Sequence, residues 1–141
     1  MTLAASSALD PGADAAVLDA SALVEALLGT AVGERVRERM RGRVLHAPAH
    51  LDAEVLSALG RLVRAGELAE TAVTAMLGEL AGAPVRRHPL APLLAGAWEQ
   101  HAQQRLVDAL YLELAGGLGL PLLSTDRRLA RASPLVELVT G

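Results

Sequence analysis

Hydrophobic and polar positions along the chain fall into two alternating periods. Ala15 to Leu18 is a short continuous apolar run, the pattern of a strand buried on both faces. Ser21 to Leu28 follows with helical character and stops at Gly29. Gly33 to Arg43 predicts a strongly charged helix. Its acids and bases interleave at helical spacing, which supports the helix and makes a solvated face its plainest reading. Val44 to Ala47 reads as a second strand, closed by Pro48. Leu51, Val55, Leu59, Leu62 and Val63 share one face of a predicted helix from Leu51 to Arg64, ended by Gly66. Leu68 to Leu80 is another helix, ended by Gly82. The turn between these two helices is short, so they form an antiparallel pair.

Val85 to His88 is a third strand, and Leu90 to Gln104 is helical after Pro89. Leu106 to Leu118 is apolar almost all round, which predicts deep burial, and Gly119 ends it. Pro121 to Ser124 is a buried strand, Thr125-Asp126 a turn, Asp126 to Ala132 a short helix, and Leu135 to Val139 a last strand. Strand and helix alternate throughout, which calls for an α/β fold: a parallel sheet with helices on both faces. We expect a single domain over residues 14–141 after a loose extension of residues 1–13.

Composition narrows this picture. The chain has 141 residues, of which 52% are hydrophobic, enough for one sizeable core. It has no cysteine, which excludes disulfides and thiolate metal sites and fits a reducing cytoplasm. The longest apolar stretch, Leu112 to Leu123, is broken by three glycines and Pro121, so no membrane span is expected. The net charge is −3, which excludes coating nucleic acid by bulk electrostatics. All thirteen basic residues are arginine, and Trp98 and Tyr111 are the only aromatic residues of the Phe, Trp and Tyr class. Base stacking on aromatic platforms is thereby disfavoured. A nucleic acid would have to be held by arginine–phosphate contacts and a metal.

Four carboxylates stand out by position. Asp19 ends the first strand, Glu54 lies on the helix after the second, Asp108 on the apolar helix, and Asp126 after the fourth strand. Each has an ordinary duty. Asp19 can cap the following helix, with Ser21 as rival, and Asp126 can cap its own. Glu54 and Asp108 can complement helix dipoles. Asp108, however, has Ala109, Leu112 and Ala115 for neighbours, which promise burial, and a buried carboxylate neutralises or finds a cation. If the first strand lies beside the fourth, at the switch point of a doubly wound sheet, Asp19 and Asp126 emerge together at its carboxyl edge. The helices bearing Glu54 and Asp108 return to that edge. Hard oxygen ligands of this kind suit Mg²⁺ or Mn²⁺. Asp52 points to another face and reads as a first-turn helix residue. His46, His50, His88 and His101 show no zinc-ligand spacing, and His50 reads as solvated or structural. Arg105, Arg127 and Arg128 lie near the acids in sequence, either as phosphate contacts or as solvated surface.

These pieces resemble a known family. The matching stretches are Val17-Leu18-Asp19-Ala20-Ser21-Ala22-Leu23, Ala47-Pro48 through Asp52-Ala53-Glu54-Val55-Leu56-Ser57-Ala58-Leu59, Asp108-Ala109-Leu110-Tyr111, and Pro121-Leu122-Leu123-Ser124-Thr125-Asp126-Arg127-Arg128-Leu129. In this order and spacing they resemble PIN-domain ribonucleases, and within them the VapC-type toxins of bacterial toxin–antitoxin pairs. The resemblance implies a PIN-like three-layer sandwich with a five-stranded parallel sheet of order 3-2-1-4-5. It implies an acidic cluster of Asp19, Glu54, Asp108 and Asp126 holding Mg²⁺ or Mn²⁺. Asp19 and Asp108 would lead, Asp126 would bind directly or through water, and Glu54 through water. Ser21 and Thr125 fall where the family often has a hydroxyl facing the site. It further implies an RNA substrate, homodimerisation and a cognate VapB-type antitoxin. Gln103 to Val107 departs from the family pattern, where many relatives carry an Asn and a Tyr before the acid.

Two other readings compete. An aspartate-nucleophile phosphatase would also place an acid after its first strand. It usually needs a Lys, which this chain lacks, and a second acid where Ser21 stands. A PIN fold kept as a non-catalytic interaction module would not need its four acids intact. The apolar surface implied by Leu51 to Leu80 suits a dimer interface or an antitoxin groove.

Overall fold

The computed structural model describes residues 14–141. The expected loose extension over residues 1–13 lies outside the described residues. Five strands, β1 (Asp14–Leu18), β2 (Arg43–Pro48), β3 (Val85–His88), β4 (Leu122–Ser124) and β5 (Val136–Leu138), form one sheet. All four pairings are parallel and the order is β3-β2-β1-β4-β5. The order reverses between β1 and β4, where Leu18 is paired with Leu123. The first residues past that pair are Asp19 and Ser124.

Helices α1 (Ala20–Leu28), α2 (Ala31–Met40), α3 (Leu51–Arg64) and α4 (Glu70–Gly82) pack on one another. Helices α5 (Leu94–Glu99) and α6 (Leu106–Leu118) form a second group, with α6 lying against β1, β2 and β4. Helix α7 (Arg127–Ala132) packs on β5, completing a three-layer α/β sandwich. Ala16, Val17, Leu18, Leu122 and Leu123 are fully buried in its core, as continuous apolar runs in a covered parallel sheet should be.

Three expectations need correction. The charged helix begins at Ala31, because Thr30 accepts a hydrogen bond from the Gly33 amide at 3.0 Å and caps it. It ends at Met40, Gly42 takes a positive φ of 73°, and Arg43 already belongs to β2. Nor is the helix simply a solvated face. Arg37 is buried, donating from Nε to the Ala26 carbonyl at 3.0 Å and pairing with Glu79 at 3.4 Å. Gly33 explains how α2 can come this close: a Cβ there would stand 1.9 Å from the Glu25 carbonyl oxygen.

The helix expected from Leu90 to Gln104 is a tight turn at Ala91–Leu93 followed by α5, which stops at Glu99. Beyond it, the amides of Gln100 and His101 reach back three residues to Ala97 and Trp98. The His101 ring also hydrogen-bonds the Trp98 carbonyl at 2.7 Å, taking an acceptor that a continuing helix would use. Finally, α6 is buried from Asp108 to Leu112 and at Leu114 and Ala115, but its ends are not: Leu106, Val107 and Leu118 are exposed.

Candidate active site

Asp19 is fixed from three sides. Its Oδ1 caps α1 by accepting from the Ala22 amide at 2.9 Å and from Ser21 Oγ at 2.7 Å. Its Oδ2 accepts from Ser124 Oγ at 2.5 Å. Ser124 is fully buried at the end of β4, and its Oγ also accepts from the Asp126 amide at 3.0 Å. One hydroxyl thus ties the two acids at the switch point together. Burial pushes the Asp19 carboxyl up from 3.8 to about 6, against the lowering effect of the bonds from Ser124, Ala22 and Ser21. The negative charge of Asp108 adds to the upward push.

Asp108, in the first turn of α6, is 8% exposed. Its Oδ2 accepts from Arg105 Nε at 2.9 Å and from Arg128 Nη2 at 2.8 Å. Asp126 caps α7 as expected, its Oδ1 accepting from the amides of Arg128 at 2.9 Å and Leu129 at 3.1 Å. Its other oxygen faces Arg128 Nη2 at 3.4 Å. Glu54, in the first turn of α3, accepts from the Tyr111 hydroxyl at 2.7 Å. Tyr111 lies three residues after Asp108, one turn along the same helix. Burial and the Glu54 carboxylate hold its phenol well above the ordinary range, so it stays a donor.

All four acids line one cleft of about 270 Å³, together with Ser21, Thr125, Arg105 and Tyr111. Of the expected supporting residues, Ser21 bonds Asp19 and also accepts from the Thr125 amide at 3.2 Å. Arg128 reaches Asp108, whereas Arg127 is exposed on α7 and does not line the cleft. Asp52 does point elsewhere, pairing with Arg87 of β3 at 2.9 Å. His50 is structural: its Nε2 bonds the Val107 carbonyl at 3.1 Å, and its ring lies 4.7 Å from that of Tyr111.

Three contributors carried no assigned role in the sequence reading. Ser124 and Tyr111 stood inside the quoted motifs, and helical spacing puts Tyr111 on the Asp108 face. Arg61 lines the cleft from α3. Its signal was also spacing: Glu54, Ala58 and Arg61 share one helical face.

The cleft can attract a hard divalent cation, since it gathers carboxylate oxygens around one buried, upward-shifted acid. As the side chains stand, no three acids or histidines among the described residues are close enough together to hold a metal ion. The reason is visible in their partners. Asp108 is turned to two guanidiniums and Glu54 to a phenol, so a cation would have to draw these carboxylates in.

This arrangement of a 3-2-1-4-5 parallel sheet and acids at its switch point defines the class. The PIN domain matches residues 16–134, and the chain belongs to that family. Over 119 residues it is 55% identical to ribonuclease VapC3 of Mycobacterium tuberculosis, spanning 84% of this chain and 87% of that protein. Among solved structures it is similar to the M. tuberculosis toxin VapC20, described as cleaving the sarcin–ricin loop. The TM-score is 0.67 at 20% identity, covering 89% of this chain and all of that one. A toxin–antitoxin complex from Klebsiella pneumoniae matches at TM-score 0.57 and 14% identity, covering 87% of this chain and 96% of that one. At these identities both structures speak to the fold.

Proposed function

We propose that the chain is a divalent-metal-dependent endoribonuclease, the toxin of a VapBC-type toxin–antitoxin pair. The observation that carries this is the convergence of Asp19, Glu54, Asp108 and Asp126 on one cleft at the sheet's switch point, in a chain more than half identical to a VapC ribonuclease. Asp19 and Asp108 would be the leading ligands of Mg²⁺ or Mn²⁺, with Asp126 bound directly or through water and Glu54 through water. Such an ion supplies a water of lowered pKa and positive charge beside the scissile phosphate.

The chain's own residues do the rest. Ser124 and Ser21 hold Asp19 in one orientation. Tyr111 fixes Glu54 where its carboxylate can accept a hydrogen bond from the attacking water. Thr125 lines the cleft beside Ser21 and would face the substrate. Arg105, Arg127, Arg128 and Arg61 would contact the phosphates, charge on charge and independent of base. The test is the double variant Asp19→Asn with Asp108→Asn, assayed on RNA with and without Mn²⁺. Cleavage should vanish, and unchanged cleavage would end the reading.

For partners, we read the exposed apolar patch of Leu94, Trp98, Leu106 and Val107 as the face on which a second copy docks. Its centre is a groove of about 190 Å³ lined by Leu94, Ala97, Trp98, Leu106 and Leu110. This patch lies elsewhere than the expected Leu51 to Leu80 surface, where Leu56 is the exposed large hydrophobic residue among those described. Trp98→Glu should shift the sedimentation coefficient from dimer to monomer, and a wild type that sediments as a monomer rules the dimer out. A VapB-type antitoxin is the expected inhibitor, testable by co-purification with the product of an adjacent short reading frame. Among the described residues no helix is long and apolar enough to cross a membrane, consistent with a cytoplasmic RNA target.

A further inference from the structure

We propose that Arg105 and Arg128 are a resident counter-cation for Asp108. An RNA backbone draws the two guanidiniums away, so RNA binding and metal binding strengthen each other. The inference rests on the metal reading of the site and concerns how that site is loaded.

The geometry is asymmetric. Asp108 is buried, and its oxygens are taken by guanidinium nitrogens, with Arg105 Nη2 also 3.4 Å from Oδ1. The arginines are not buried. Their side chains are 67% and 48% exposed, while that of Asp108 is 12% exposed. The acid is held in place by its helix, but the two bases are long arms on the solvent side. Arg105 precedes the first turn of α6, and Arg128 lies in the first turn of α7, so neither belongs to the packed core.

Ion pairs with one exposed partner are weak. A phosphodiester offers a guanidinium the same two-oxygen acceptor as a carboxylate. Transfer of Arg105 and Arg128 from Asp108 to phosphates therefore costs the exposed arginines little and leaves on Asp108 a buried carboxylate that calls for a cation. A cation at Asp108 must compete with two guanidiniums without RNA and with none once RNA is bound. By linkage the two ligands then favour each other's binding to the same extent. This also accounts for why the acids are not gathered as a metal-binding group in the present arrangement.

The experiment is Mn²⁺ titration by calorimetry at fixed pH and ionic strength, with and without a phosphorothioate-linked RNA decamer, which keeps its charges and resists cleavage. The Arg105→Gln/Arg128→Gln variant should bind Mn²⁺ about three- to thirtyfold tighter than wild type without RNA. Wild type should gain affinity when the decamer is present, and the variant should not. The single variants should fall between, and Arg131→Gln, which removes an exposed charge from the last turn of α7, should match wild type. Equal tightening by Arg131→Gln would reduce the effect to net charge and overturn the proposal. Unchanged or weaker Mn²⁺ binding by the double variant would overturn it too, with the metal site left standing. If neither wild type nor the Arg105→Gln/Arg128→Gln variant binds Mn²⁺ at millimolar concentration, with or without the decamer, the metal reading itself falls and takes this proposal with it.

Discussion

The Tyr111 hydroxyl donates to Glu54 Oε1 at 2.7 Å, joining the first turn of α3 to α6 across the cleft. His50 closes the arrangement, with its ring against Tyr111 and its Nε2 3.3 Å from the same Glu54 oxygen. Glu54 is thus aimed by the hydroxyl of Tyr111, which lines the cleft beside it. Tyr111→Phe keeps the ring and removes the donor. Because Glu54 is about one-third exposed, water can replace the lost bond, and stability should fall by only about 1 kcal/mol. A freed Glu54 should lower kcat roughly five- to twentyfold while KM stays within about twofold. A purely structural Tyr111 would instead show lost stability with kcat intact.

Asp19 predicts an unusual pH dependence of folding. Its carboxyl titrates near 3.8 when unfolded and at about 6 in the fold. Between those values the native state binds the extra proton, so stability falls as pH rises and levels off above about 6. The contribution is on the order of 3 kcal/mol. Asp19→Asn, which still caps a helix well, should be more stable than wild type at pH 7, and the gap should shrink towards pH 4. Thermal melts across that range measure it. A gap independent of pH would show that Asp19 titrates normally. At pH 7, millimolar Mn²⁺ should raise the melting temperature of wild type and leave the variant unmoved.

Sequence and structure agree most closely where chemistry is local. The apolar runs predicted as strands do lie in β1 and β4, and Gly29 and Gly119 mark helix ends by positive φ. Asp19 and Asp108 are legible because each interrupts an apolar run, and Glu54 and Asp126 by their places after the second and fourth strands. What could not be read was their partnership. Ser124 looked like the end of a strand, and only the pairing of Leu18 with Leu123 sets its hydroxyl against Asp19. Arg37, embedded in a run of charges, is buried because Gly33 lets α2 approach α1, a long-range fact with no local signature. The helix break after Glu99 comes from the His101 ring on the Trp98 carbonyl, a contact that residue spacing does not signal.

Gly33 is itself a stability prediction. A methyl group added there would overlap the Glu25 carbonyl and stand 3.0 Å from the Ala26 amide nitrogen. Backbone, unlike a side-chain end, has no rotamer by which to yield. Although alanine favours a helix, Gly33→Ala should cost about 1–3 kcal/mol by forcing α2 off α1. Denaturant unfolding measures the loss. Gly78→Ala on α4, where the added carbon meets open space, should instead be neutral or stabilising by up to about 1 kcal/mol.

Arg61 extends the site beyond the acids. It stands on α3 two turns after Glu54, is exposed, and lines the cleft with Val24, Glu25 and Ala58. Its Nη1 donates to Ser57 Oγ at 3.0 Å, which steadies the side chain but leaves its charge uncompensated by that partner. In a chain of net charge −3, an RNA strand entering an acidic cleft is repelled unless basic groups track its backbone. Arg105 and Arg128 supply charge beside Asp108, and Arg61 supplies it from α3. Arg61→Ala should therefore raise KM for RNA about three- to tenfold and leave kcat within about twofold. The slope of log KM against log salt should fall by about 0.7, the loss of one phosphate contact on a single strand. Salt-dependent kinetics on one RNA substrate measure both. If KM and its salt slope match wild type, Arg61 does not touch the backbone, and the strand's path past α3 must be redrawn.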